Sequence, residues 1–180
     1  LWHRIKKRYP YRATREEIYA YIQDIVIKLC NSVERIGYNR FLLIAGDTSS
    51  AFEFSEVFYK ELVKHWSAKR IVVVSGNHEL LNPSVELDDN IQAYRDFFNG
   101  LGINYLQNEL LCFSGKSLVG FNKQACDKAF SYMLDANDIL TRTSGELHEV
   151  LCSYPLLVLG GIGFTGRNVM YNASNLKYGY

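Results

Sequence analysis

The chain has 180 residues, 48% of them apolar and 14% aromatic, which excludes a disordered segment and suffices for one domain with a sizeable core. A formal net charge of +1 points neither to a nucleic-acid binder nor to a module for acidic partners. No apolar run approaches the roughly 18 residues of a membrane span, and no secretion signal is recognised at the start.

Four cysteines (Cys30, Cys112, Cys126, Cys152) lie far apart without a C-x-x-C pair, which favours free thiols over disulfides and fits a reducing cytoplasm. The chain opens at Leu1 without an initiator Met and stops at Tyr180, so we expect a single domain that is a piece of a longer one.

In chain order, Arg4, Lys6, Lys7, Arg8 and Arg12 alternate with Trp2, Tyr9 and Tyr11. Such an arm can bind a nucleic-acid backbone and stack bases, but a solvated arm is the plainer reading. Thr14 and Glu17 are spaced as a capping box, and Ile18, Ile22, Ile25, Leu29, Val33 and Ile36 follow at three- and four-residue steps. This predicts an amphipathic helix over 15–36, stopped by Gly37. Phe41–Ala45 reads as a buried strand that ends in Gly46-Asp47. A second capping box, Ser50 with Glu53, predicts a helix presenting Phe54, Val57, Phe58, Leu62 and Trp66, with His65 near its negative end.

A second strand, Ile71–Ser75, ends in Gly76-Asn77-His78-Glu79. Ile91, Tyr94, Phe98 and Leu101 signal a further helix, closed by Gly100 and Gly102, with Glu86, Asp88 and Asp89 near its positive end. Ile103–Leu106, Glu109–Phe113 and Ser117–Phe121 read as short strands, with a turn at Ser114-Gly115. Residues 122–139 give no clear pattern, 145–151 read as helix, and Leu156–Leu159 as a buried strand. The fold class is α/β, a central sheet flanked by helices.

Gly161-x-Gly163-x-x-Gly166 after that last strand has the letters of a dinucleotide fingerprint. The fingerprint works only when a helix N-terminus follows to take the pyrophosphate. The asparagine-rich tail lacks helical periodicity and has no acid for a ribose, so no nucleotide cofactor is expected.

The stronger signal lies earlier. Strand–helix–strand makes a βαβ unit, which brings Asp47 and Asn77 to one sheet edge, the edge where such units bind ligands. A carboxylate and a carboxamide there can hold a divalent metal, or bridge a pair that clamps a phosphoryl group and activates water. His78 is placed to meet phosphoryl oxygens or protonate a leaving alcohol.

Gly46-Asp47-Thr48 and Gly76-Asn77-His78-Glu79, thirty residues apart, resemble the second and third sequence blocks of the calcineurin-like metallophosphoesterases. The resemblance is firm over about Phe41–Leu81 and implies part of an α/β/β/α sandwich that hydrolyses phosphoesters with two divalent ions of the manganese, iron, zinc or nickel class. By it, Asp47 would bridge the metals, Asn77 would ligate one, His78 would contact the scissile phosphate and Glu79 would be a supporting acid. The family's Asp-x-His block is absent, and so are its later histidine blocks. His148 is not read as a replacement. Ser50 stands where the protein serine/threonine phosphatases carry an acid, which leaves phosphodiesters, nucleic acids and small phosphoesters as substrate classes. We therefore expect weak or no activity from these residues alone. The alternatives are a metal-free scaffold domain and a nucleic-acid-binding module using the basic arm.

Overall fold

The computed structural model describes residues 7–8, 13–34, 41–80, 85–114 and 131–161. Helix α1 (Arg15–Glu34) opens with the expected capping box: Glu17 N–H donates to Thr14 Oγ1 at 3.2 Å and Thr14 N–H to Glu17 Oε2 at 2.9 Å. Strand β1 (Leu42–Ala45), helix α2 (Phe52–His65) and strand β2 (Ile71–Val74) form the βαβ unit. A short helix α3 (Asn77–Leu80) follows, then α4 (Leu87–Leu101) and β3 (Asn104–Tyr105). Strands β1, β2 and β3 lie side by side in one parallel sheet, with Ala45 opposite Val74. Both polar clusters therefore do leave the same edge.

The remaining elements are β4 (Glu109–Phe113), β5 (Ser131–Leu134), α5 (Ala136–Thr141), α6 (Ser144–Cys152) and β6 (Leu156–Gly160). They build a second, antiparallel sheet in the order β5-β4-β6. Strand alternation stacks the layers, because successive side chains point to opposite faces. On β2, Ile71 and Val73 meet α1, α2 and α4, packing with Ile22, Val26, Phe58, Leu62, Tyr94 and Phe98. Val72, between them, turns the other way and packs with Leu111 and Phe113 of the second sheet. On β4 the intervening Leu110 and Cys112 face outward, to Ile139, Val150 and Leu151 of the last two helices. The result is helices, sheet, sheet, helices. All five β4 residues are buried, as a strand sandwiched on both faces must be. Each fully buried Leu or Phe contributes roughly 1.5–3 kcal/mol relative to exposure.

Several local expectations change. The Ser50–Glu53 capping box does not form: α2 is capped by Ala51 with no side-chain bond. The cause lies upstream, where Ser49 N–H points to Glu79 at 3.4 Å and Ser49 Oγ takes Ala51 N–H at 3.1 Å, so helical geometry resumes only at Phe52. Glu53 instead reaches the Tyr19 hydroxyl at 3.3 Å and Arg15 at 3.6 Å. Gly100 lies inside α4, and Gly102 closes it with φ 73°, a left-handed cap that glycine reaches without a Cβ penalty. His65 is at the end of α2 as expected, and also contacts Glu61 at 3.0 Å.

The unpatterned stretch contributes β5 and α5. The Ser117–Phe121 strand and the fingerprint beyond Gly161 lie outside the described residues. So do the basic arm apart from Lys7 and Arg8, which are exposed, and Cys126. Cys30, Cys112 and Cys152 are free thiols. Among the described residues no helix is long and apolar enough to cross a membrane.

Candidate functional site

The site begins with two glycines in backbone contact. At the end of β1, Gly46 has φ 72° and Asp47 φ 56°, so the chain turns sharply through two left-handed residues. For a non-glycine residue such as Asp47 that conformation costs about 1–2 kcal/mol. A Cβ on Gly46 would lie 2.2 Å from Gly76 N, and one on Gly76 would lie 2.2 Å from Asp47 Oδ1. Neither loop can approach the other unless both positions are glycine.

Glu79 locks this contact. It sits in the first turn after β2, is buried, and aims its carboxylate at four backbone N–H groups. Oε2 accepts from Asp47 at 2.8 Å and from Gly76 at 2.9 Å; Oε1 accepts from Thr48 and, at 3.4 Å, from Ser49. A buried carboxylate requires such donors. Asp47 returns the link, its Oδ1 accepting His78 N–H at 3.1 Å. Asn90 of α4 fastens the far end of α3 by donating to the carbonyls of Glu79 and Leu80 at 3.0 and 3.1 Å.

Beneath the loops lies a floor of tyrosines. Thr48 Oγ1 pairs with the Tyr59 hydroxyl at 2.9 Å and Ser75 Oγ with the Tyr105 hydroxyl at 2.8 Å. Burial pushes Tyr59, Tyr94 (to about 12) and Tyr105 above the ordinary phenol value, and the charge of Glu79 adds to each shift. All three therefore stay neutral at ordinary pH.

Asp47 and Asn77 come together as expected. The carboxamide atom of Asn77 that faces Asp47 stands 3.0 Å from Oδ1 and 3.3 Å from Oδ2. As the NH2 group it donates to the carboxylate. Turned over, its carbonyl oxygen joins the carboxylate oxygens in a cluster that needs a cation to hold it, the donor set that hard divalent ions choose. The pair thus fits a metal. It is small, since among the described residues no group of three or more His, Cys, Asp or Glu side chains is arranged to hold one.

His78 is exposed at the rim, and its backbone is fixed by Asp47. Ser50 is exposed. His148 lies on α6, beyond the second sheet, and is no part of this site.

Sequence reasoning missed the rim formed by the end of β6. A Cβ on Gly160 would lie 2.6 Å from Leu106 Cβ and 2.9 Å from Val74 Cγ1. The second sheet thus delivers its last strand beside the residue that precedes Ser75 and the Gly76 loop.

No curated protein and no solved structure shows significant similarity to this sequence. A family profile does: it matches residues 3–174, nearly the whole chain, and the chain belongs to the calcineurin-like phosphoesterases.

Proposed function

We propose that the edge carrying Asp47, Asn77 and His78 hydrolyses a phosphoester with the help of divalent metal ions. The observation that carries this reading is the convergence of the Asp47 carboxylate and the Asn77 carboxamide, 3.0 Å apart, at the ends of two neighbouring parallel strands. Membership of a family of phosphoester hydrolases supports the reaction class.

Asp47 and Asn77, the latter with its carbonyl turned inward, would hold the metal through oxygen donors. When bound, a metal pair supplies an activated water and neutralises charge on the phosphoryl oxygens. The other tasks fall to the chain. Glu79 and the two glycines hold both donors in register, so little reorganisation is needed when substrate arrives. His78 stands at the exposed rim, where its imidazole can donate to a phosphoryl oxygen or protonate the leaving alkoxide. A phosphodiester, a nucleic-acid backbone or a small phosphomonoester satisfies this chemistry equally.

The test is hydrolysis of nitrophenyl phosphate and bis(nitrophenyl) phosphate with added Mn²⁺ or Ni²⁺. Turnover that needs metal and is lost in Asp47→Ala supports the proposal. Bound metal in the full-length protein by elemental analysis, without turnover on either ester, limits it to metal binding. Neither metal nor turnover replaces it with a scaffold domain.

A further inference from the structure

We infer that Asn90 is a positioning residue for the candidate site: from α4 it holds the one-turn helix α3, and through α3 it sets Asn77, His78 and the Asp47 loop. The inference rests on the metal-dependent reading proposed above. Asn90, Tyr94 and Phe98 are the buried residues of α4, one helical turn apart along a single stripe. Tyr94 and Phe98 pack into the core beneath the helices. Asn90 carries a carboxamide in the same stripe at 7% exposure, which is costly unless its hydrogens find acceptors. They do: the NH2 group donates to the Glu79 carbonyl at 3.0 Å and to the Leu80 carbonyl at 3.1 Å.

Those carbonyls close α3, which at four residues is too short to persist on its own hydrogen bonds. Its entry is fixed by the Glu79 carboxylate, which takes the N–H groups of Asp47, Thr48, Ser49 and Gly76, and by Asp47 Oδ1, which takes His78 N–H. Its exit is fixed by Asn90. Glu79 is thus gripped twice: Asn90 holds its carbonyl while its carboxylate holds the Asp47 loop. A shift of Asn90 therefore reaches both oxygen donors, Asn77 through the single turn of α3 and Asp47 through Glu79. An apolar side chain would also fill the stripe, but it would leave the two carbonyls without these donors.

The experiment compares Asn90→Leu, Asn90→His and Ile22→Ala in the whole chain. Leucine forms helix well, suits the stripe and donates nothing, whereas the Nδ1–H of histidine can replace one of the two bonds. Ile22 is fully buried in α1, and its truncation lowers stability without removing a bond to α3. In the metal-free chain, hydrogen exchange of the His78 amide should quicken roughly tenfold in Asn90→Leu relative to that of Val73, and less in Asn90→His. Ile22→Ala should show no such preference for His78. Titration with Mn²⁺ is the second readout: affinity should fall roughly tenfold in Asn90→Leu, recover in part in Asn90→His and keep the parent value in Ile22→Ala. A His78 amide no faster in Asn90→Leu, or parent Mn²⁺ affinity in that variant, would overturn the positioning role. A parent chain that binds no Mn²⁺ would instead overturn the metal reading on which the role rests, and the parent alone tells that outcome apart from the other two.

Discussion

Glu79 and Asp47 hold each other's loops: the Glu79 carboxylate accepts the backbone N–H of Asp47 at 2.8 Å, and the Asp47 carboxylate accepts the N–H of His78, Glu79's neighbour, at 3.1 Å. The edge that carries Asp47 and Asn77 is therefore built by exchange of backbone donors between two strand ends. Its acids have divided roles. Glu79 is consumed by the protein, whereas Asp47 is exposed, accepts one backbone N–H through Oδ1 and holds both oxygens against the Asn77 carboxamide at 3.0 and 3.3 Å.

Glu79→Ala removes the acceptor for four N–H groups at a buried position, and we expect a loss of about 3 kcal/mol or more in stability. Glu79→Gln is not conservative, because its NH2 group would face the N–H groups of Asp47 and Gly76 or those of Thr48 and Ser49. It should cost about 1–3 kcal/mol. Urea denaturation measures both, and an unchanged midpoint in either variant would contradict this account.

Gly76→Ala places a methyl group on the Asp47 carboxylate, whereas Gly46→Ala places one against the Gly76 backbone and adds strain at φ 72°. Both should destabilise by about 2–4 kcal/mol. The variants differ in a second readout. Gly76→Ala displaces Asp47 directly, so Mn²⁺ should raise its melting temperature less than it raises that of Gly46→Ala. An equal metal response would place Asp47 outside the metal centre.

The tyrosine floor predicts alkaline behaviour. The folded phenol of Tyr94 titrates near 12, against an ordinary value of 10, because burial disfavours the phenolate. Below pH 10 neither state ionises and the full contribution is present. Between pH 10 and 12 the unfolded chain loses a proton that the folded chain retains, so stability falls as pH rises, by on the order of 2 kcal/mol from Tyr94 alone. Phenolate absorbance followed with circular dichroism checks this: a buried class of tyrosines should ionise only as the fold is lost. Smooth titration of every tyrosine near pH 10 with the fold intact would refute it.

Much of this arrangement was legible in the sequence because it rests on local signals. Leu42–Ala45 and Ile71–Val74 are apolar runs bounded by glycine, and the helical period between them fixes a parallel pair, hence a shared edge for Asp47 and Asn77. The helix starts were legible only where the side chains were free to cap. Thr14 caps α1, but Ser50 loses its role because the neighbouring Ser49 N–H is drawn toward Glu79. The second sheet was harder. Ser131–Leu134 is short and its pairing with β4 is a long-range contact that no local period announces. The resemblance implied a supporting role for Glu79, but no local signal named its partners, and the structure puts its whole carboxylate on the backbone N–H groups of Asp47, Thr48, Ser49 and Gly76.

Gly160 illustrates the same limit and supplies a test. In sequence it opens a glycine-rich stretch that mimics a nucleotide fingerprint, yet its smallness has a packing cause: a Cβ there would lie 2.6 Å from Leu106 Cβ, 2.7 Å from Leu106 Cδ1 and 2.9 Å from Val74 Cγ1. Leu106 is fully buried, so it cannot swing away. Gly160→Ala should therefore cost about 1–3 kcal/mol through overpacking between the sheets. The shift should also reach the site, because Val74 directly precedes Ser75, whose hydroxyl is bonded to Tyr105. We expect metal-dependent turnover to fall together with stability, and Leu106→Gly, which removes the Cβ as well as the Cδ1, to make the double variant lose less than the two single variants together. Full additivity of the two substitutions would show that positions 160 and 106 do not press on each other, and turnover unchanged in Gly160→Ala would show that the end of β6 does not bear on the Asp47–Asn77 edge.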